Sequence, residues 1–197
     1  MLCTNCWSKL QFEKQENYYI ERVITSVQYK GIVRKLIHQL KYQDKLINLD
    51  FFTKLIIQAL EQQNIQFDYI IPVPLDPAKL MKRKYNHNSL LAKRLAKHYS
   101  KTVIHNALYK KPTTSQTKLN LAERKKNLKN SFIFNQKAKS LIKGKRILLL
   151  DDITTSGTTL LECTKTLNTA ETAQIIPAVI AHTPRNIKTL TKDKKTL

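Results

Sequence analysis

Three kinds of residue are in short supply in this 197-residue chain: glycine, acid and cysteine. There are three glycines, and neither G-x-x-x-x-G-K-[ST] nor G-x-G-x-x-G occurs, which excludes a P-loop and a dinucleotide-binding fingerprint. Cysteine occurs three times, an odd number, which excludes a complete disulfide framework. No apolar run approaches the roughly 20 residues of a membrane-spanning helix. The start, MLCTNCWSKLQFEK, has no apolar stretch behind a basic one, so no signal peptide is expected and a cytoplasmic protein is. What remains is a chain with 42% hydrophobic residues, enough for the core of one ordinary domain.

Acid is scarce and unevenly placed. The formal net charge is +21, from 35 Lys and Arg against 14 Asp and Glu. Between Asp76 and Asp151, 20 basic residues face a single acid, Glu123. Codon bias can favour Lys over Arg, but it does not remove Asp and Glu. A field of this size attracts polyanions, such as phosphates, nucleic acid or anionic lipid. Tyr85, Tyr99 and Tyr109 lie within the basic stretch, where they could stack bases or belong to the core. Lys93, Arg94 and Lys97 read as one solvated helix face.

Cys163 follows TTLLE in a helical pattern and reads as a small buried apolar residue. Cys3 and Cys6 form C-x-x-C, half of a zinc ribbon, with no second pair and no histidine before His38. Three readings stay open: the remnant of a larger zinc site, zinc shared with another chain, or chance.

Periodicity alternates between strand and helix. Strands are expected at 23–29 (VITSVQY), 68–75 (DYIIPVPL), 102–109 (TVIHNALY), 131–134 (SFIF), 145–150 (KRILLL) and 173–183 (AQIIPAVIAHT). Helices are expected at 31–42, with Ile32, Leu36, Ile37 and Leu40 on one face, and at 51–63 behind an Asp50 cap. Two more are expected over 79–100, clearest from Asn88 or Ser89, and over 158–170. Residues 110–120 read as a polar loop and 121–130 as a helical turn or two. This alternation predicts an α/β fold with a mostly parallel sheet.

Acid and glycine come together at ILLLDDITTSGTTL, residues 147–160. A near-continuous apolar strand runs into Asp151 and Asp152. Thr155, Ser156, Gly157, Thr158 and Thr159 then lead into a helix. Ligands of open α/β sheets bind at the carboxyl ends of strands. The unpaired N–H groups of a helix start favour an anion, and hydroxyls add donors. Gly157 permits a tight turn close to a phosphate. An ordinary N-cap needs one hydroxyl, not five around a glycine. Two carboxylates would repel a phosphate but suit neutral hydroxyls or a hydrated Mg²⁺. Together the segment asks for a ribose 5-phosphate.

This stretch resembles the phosphoribosyl-diphosphate (PRPP) motif of type I phosphoribosyltransferases: apolar strand, two acids, T-T-G-x-T. Other segments resemble the ComF branch of competence-associated proteins. IHQLKYQDK (37–45) is similar to its L-K-Y-x-G/D segment. DYIIPVPLDPAKLMKRKYNHNSLLAKRLA (68–96) is similar to V-P-V-P-L…R-G-F-N-Q…L-A, and KKPTTSQTKLNLAERKKNLKNSF (110–132) to R-x-x-x-T-x-x-Q…E-R-x-x-N. The likeness covers about residues 23–183, in the family's order.

The resemblance implies a type I phosphoribosyltransferase-like fold, a mostly parallel twisted sheet flanked by helices with a small hood. The domain spans 23–184, after a zinc-ribbon remnant at 1–22 and before a basic flexible tail at 185–197. It implies PRPP as donor and Mg²⁺ as cofactor. Asp151 and Asp152 would be the catalytic pair, holding the ribose hydroxyls directly or through Mg²⁺, and 155–159 the 5-phosphate loop. Pro72, Val73 and Pro74, with Arg83, Lys84 and neighbouring Lys79, would lie at the diphosphate. A mobile loop carrying Lys110, Lys111, Thr113, Gln116 and Arg124 would close over it. The hood over the acceptor would come from 23–45 or from beyond Ile180.

The implied function is Mg²⁺-dependent phosphoribosyl transfer to an unknown acceptor, in DNA uptake during natural transformation. The alternative is a non-catalytic single-stranded-DNA-binding competence factor whose PRPP site is a sensor or relic. A PRPP-sensing regulator is a third, weaker reading. Other DNA-uptake proteins are implied as partners, and the oligomeric state stays open.

Two departures stand out. The family's R-G-F-N-Q is Arg83-Lys84-Tyr85-Asn86-His87 here, so a positive φ at residue 84 would be strained or absent. Relatives often carry a four-cysteine zinc module, of which only Cys3 and Cys6 remain, so zinc is not carried over. His87 reads as a surface or structural histidine.

Overall fold

The computed structural model describes Ser8, Leu10, residues 23–112 and residues 130–183. The Cys3–Cys6 pair, the expected 121–130 helix except Asn130, the tail from 185, and Thr113, Gln116 and Arg124 lie outside the described residues.

Five strands form one parallel sheet: β1 (Ile24–Gln28), β2 (Tyr69–Pro72), β3 (Thr102–Val103), β6 (Arg146–Thr154) and β7 (Gln174–His182). Their order across the sheet is β1-β7-β6-β2-β3. Two short strands, β4 (Leu108–Lys110) and β5 (Phe132–Phe134), pair antiparallel beside it. The expected strand at 102–109 is therefore two strands in different sheets. The helices are α1 (Gly31–Tyr42), α2 (Asn48–Gln62), α3 (Pro77–Arg83), α4 (His87–Tyr99), α5 (Lys139–Ile142) and α6 (Thr158–Asn168). None of the described helices is long and apolar enough to cross a membrane.

The central strand β6 is apolar on both faces because both are covered. Leu148 and Leu150 point into the core formed with α1, α2 and α4; Ile147 and Leu149 point to α6 and the β4–β5 hairpin. All four are fully buried. This two-residue period decides where the acids go: Asp152 shares the face of Leu150, and Asp151 that of Leu149.

Two expected helix starts differ. Helix α2 begins at Asn48, and Asp50 is not its cap but lies in the first turn. Leu49 is wholly buried with Phe52 and Phe52's neighbours in the α2 core, so the apolar face starts one turn earlier than the aromatic pair suggested. Asp50 instead accepts from Arg94 Nε at 2.8 Å. The long 79–100 segment is two helices, broken at Lys84, which takes left-handed φ 63°. The strained conformation expected only of glycine is thus present with a lysine in it. Asn86 then caps α4 by accepting from Asn88 N at 3.0 Å.

Candidate ligand site at the carboxyl end of the sheet

Strands β6 and β2 run side by side, with Pro72 opposite Leu150 and Val73 N donating to Leu150 O at 2.8 Å. Their carboxyl ends bring the acid pair beside the Pro72-Val73-Pro74 turn. The start of α4 closes the group. Asn86 and Asn88 Nδ2 donate to Val73 O at 3.1 and 3.3 Å, and Asn88 Nδ2 also to Asp151 Oδ1 at 2.9 Å.

The two aspartates occupy opposite environments. Asp152 Oδ2 receives Lys41 Nζ at 2.6 Å and His87 Nε2 at 2.5 Å. Burial alone would raise its pKa, but Lys41 and then His87 hold it well below the usual carboxylate range. Asp151 has no cation at hydrogen-bond distance among the described residues. Burial, and then the neighbouring charge of Asp152, raise its pKa to about 6, against the backbone N–H of Asp152 and the Asn88 amide. A carboxyl so displaced marks a position shaped for something other than stability.

His87 is buried at 2% exposure, not on the surface. Its Nδ1 and the Oδ1 of Asn88 are both buried with no hydrogen-bond partner among the described residues. Unsatisfied buried polar atoms are rare in folded proteins and point to a missing partner, water or ligand.

Past the acids, Gly157 takes φ 76° and stands as the N-cap of α6, offering no side chain to the helix start. Ser156 Oγ lies 2.8 Å from Thr158 Oγ1, and Thr155 is exposed. All five residues of 155–159 therefore sit at the open end of α6, adjoining Asp151 and Asp152. Lys110, at the end of β4, comes to the same place. Burial, then Lys79, lowers its pKa, while Asp151 and Asp76 pull it up. Cys163 lies beneath, fully buried as expected.

Other expected residues are less engaged. Arg83 donates to the Tyr42 hydroxyl at 3.2 Å and lies over that ring at 5.0 Å, facing α1. Lys84 is placed by its left-handed turn. Lys111 is exposed and is followed by Pro112, the last described residue before position 130. Of the tyrosines, Tyr85 donates to Leu40 O at 2.8 Å and Tyr99 packs on Phe67, so both are structural; Tyr109 is 49% exposed. Sequence reasoning missed Lys41 and Asn88 and underrated His87. Asn86 two residues before Asn88, in a capping position, was the only local signal for the start of α4.

Residues 87–197 match the phosphoribosyl transferase domain family. The chain belongs to that family. Competence protein F of Haemophilus influenzae is 29% identical over 179 residues, spanning 84% of this chain and 77% of its own. DNA utilization protein YhgH of Shigella flexneri is 28% identical over 163 residues, spanning 79% and 70%. Among solved structures, adenine phosphoribosyltransferase from Thermoanaerobacter pseudethanolicus aligns at 16% identity and a TM-score of 0.44, over 70% of this chain and 68% of its own. The family match and these relatives agree with the ComF branch whose motifs the chain carries. The parallel sheet flanked by helices is the type I phosphoribosyltransferase architecture expected of it.

As a metal cage the pair is incomplete: among the described residues no three His, Cys, Asp or Glu are arranged to hold an ion, and the one neighbouring histidine, His87, is engaged with Asp152. Asp152 Oδ2 is moreover already held by two cationic or donor groups. Of the two acids, Asp151 is the one not held by a cation among the described residues, so this donor set would suit only a cation that keeps most of its water, as Mg²⁺ does.

Proposed function

We propose that this protein binds PRPP at the carboxyl end of β6 and transfers its phosphoribosyl group to an acceptor, in the handling of DNA taken up by the cell. The carrying observation is the buried acid pair set directly before the Gly157 turn and the open start of α6. One site then offers acceptors for ribose hydroxyls and donors for a 5-phosphate a few residues apart.

In this reading Asp151 and Asp152 hold the ribose hydroxyls, and the orphaned His87 Nδ1 and Asn88 Oδ1 find partners in the bound ligand or its water. Residues 155–159 hold the 5-phosphate through backbone N–H groups and hydroxyls. Pro72, Val73 and Pro74 line the diphosphate, with Lys79, Lys84, Lys110 and Lys111 supplying positive charge. Arg83 reaches it only by leaving Tyr42. Asp151 would hold Mg²⁺ through water, and Mg²⁺ would offset charge on the departing diphosphate. Transfer forms a bond from the acceptor nucleophile to ribose C1 as the C1–O bond to diphosphate breaks, its electron pair leaving with the diphosphate. Fixed cations aimed at that charge lower the barrier. Thr113, Gln116 and Arg124 keep their expected place in the closing loop as part of this proposal.

A second reading rests on Asp152. Lys41 and His87 already satisfy it, so a ribose must compete with a formed ion pair. That favours a sensor or relic site in a protein whose basic surface binds single-stranded DNA and other uptake proteins. The names of the relatives support DNA handling under either reading.

Titration calorimetry with PRPP, with and without Mg²⁺, separates a working PRPP site from a relic, and release of diphosphate from bound PRPP separates transfer from sensing. Mg²⁺-dependent binding that Asp151→Asn/Asp152→Asn abolishes is expected. Absence of binding to a folded wild-type protein would sink the PRPP reading.

A further inference from the structure

A second concavity opens beside the acid pair, and no acid is among the described residues that line it. It has a volume of about 520 Å³ and runs along the outer face of α1. Arg34, Lys35, His38 and Lys41 line it, with Tyr29 and Tyr42. Lys41 is common to both places, since its ammonium lies 2.6 Å from Asp152. Lys41 thus links the cleft to the candidate PRPP site.

The excess of basic residues in this chain does not by itself explain such a lining. A second cleft, between α2 and α4, carries Arg94, Lys97 and His98 as well, yet it also holds Asp50 and Glu61. There Arg94 pairs with Asp50 at 2.8 Å and His98 with Glu61 at 3.5 Å. In the α1 cleft only Lys41 has an acidic partner among the described ion pairs, and that partner lies at the inner end. Arg34 and Lys35 are exposed. The nearest acid in sequence, Asp44, is turned to the Tyr85 hydroxyl, whose pKa burial and this carboxylate push up to about 12.

The aromatic part is arranged as well. Tyr42 is 56% exposed, with His38 at a ring-centroid distance of 4.8 Å and the Arg83 guanidinium at 5.0 Å. A partly exposed ring flanked by an imidazole and a guanidinium is a stacking platform for a planar π system. An Arg and a Lys with no ion pair among the described residues suit a phosphate beside it. A neutral base would use the ring and leave the two cations without purpose.

We propose that the α1 cleft binds a nucleotide unit, its base on the Tyr42 platform and its phosphate on Arg34 and Lys35, next to the PRPP site. The shared chemistry is that of a free nucleotide or of one unit of a single strand. This deepens the proposed function, since the position next to ribose C1 rests on the PRPP reading. The cleft itself does not.

The test measures binding of a 5′-mononucleotide, its nucleoside and a short single-stranded oligodeoxynucleotide to the full chain, with PRPP titrated in parallel. Wild type should bind the mononucleotide at least about tenfold tighter than the nucleoside, the effect expected of a charge-assisted phosphate contact. Arg34→Glu/Lys35→Glu should lose nucleotide binding by about tenfold or more and leave PRPP binding within about twofold. Lys93→Glu/Lys97→Glu makes the same charge change on the solvated face of α4 and should leave nucleotide binding near wild type. Equal losses in the two variants would mean that the overall field, not the cleft, does the binding, and would overturn the proposal. So would a nucleoside that binds as tightly as the nucleotide. Arg34→Gln/Lys35→Gln gives a milder second variant should charge reversal disturb α1. A strand bound no tighter than the mononucleotide identifies free nucleotide as the source; a strong preference for the strand identifies nucleic acid. Loss of PRPP binding alone, with the cleft intact, sinks the donor site and leaves this one standing.

Discussion

Strands β2 and β6 have an aspartate ion pair near each end, and the two ends are built differently. At the amino end Asp68 pairs with Arg146, its Oδ2 accepting from Arg146 N at 2.8 Å and its Oδ1 from Nη2 at 3.4 Å. Both side chains keep about a third or more of their surface in water, 31% and 43%. At the carboxyl end Asp152 is 7% exposed and meets Lys41 and His87, while Asp151 next to it has no cation of its own among the described residues. The amino end ties strands together where charges are cheap to place. The carboxyl end keeps two carboxyls under cover, one of them against its own stability, which is what a binding site requires.

The largest expected effect sharpens that contrast. Lys41→Met removes one of two partners from a buried carboxylate and should lower stability by about 2–3 kcal/mol, below the full value for a lone buried charge because His87 remains. Arg146→Met, at the amino end, should lower it by no more than about 1 kcal/mol. Denaturant midpoints of the two variants check both, and equal losses would erase the distinction between the ends.

The next effect has the opposite sign. Asp151 has a raised folded pKa of about 6, so the folded state prefers its protonated form. The resulting cost appears as pH rises above the ordinary value of 3.8 and is complete above about 6. Asp151 as a residue is only half-buried, so the cost is discounted to the order of 1 kcal/mol. Asp151→Asn should therefore be more stable than wild type at pH 7.5, with the gain fading between pH 6 and pH 4, while PRPP binding is lost. Asp152 runs the other way: its pKa is depressed, so its contribution is present above 3.8 and is lost only as pH falls through the lower folded value. Thermal melts across pH 4 to 8 check the sign, and an Asn variant less stable at pH 7.5 would contradict it.

The comparison also shows why one part of the site was legible in sequence and another was not. The β6–loop–α6 unit is contiguous, so its apolar run, acid pair, glycine and hydroxyls could be read together. The strands followed from their β-branched and apolar runs except over 102–109, where the run does not show that Thr102–Val103 and Leu108–Lys110 belong to different sheets. Lys41 could not be placed: it lies 111 positions before Asp152 and reaches it only because α1 covers the face of β6 that Asp152 shares with Leu150. Periodicity gives the face of a helix, not the strand it will cover. His87 reads as surface or structural in a segment rich in Lys and Asn, which does not decide between the two; the helix break at Lys84 precedes a buried His87. Asp50 was misread as a cap because the aromatic pair after it masked the buried Leu49 before it.

The helix break supports the smallest prediction. Lys84 holds φ 63°, ψ −15° between α3 and α4, a conformation that crowds a Cβ and costs a non-glycine residue about 1–2 kcal/mol. Lys84→Gly relieves that crowding but gives the unfolded chain more freedom, so the net gain should be about 0.5–1 kcal/mol. Its effect on ligand binding separates the two roles available to this lysine. If it is kept for its charge near the diphosphate, PRPP affinity should fall even as the thermal midpoint rises. If only the turn matters, affinity should hold and the more stable variant should bind as wild type does. The first outcome is expected, because a lysine held in a strained turn beside a candidate diphosphate site gives up stability that a glycine would keep.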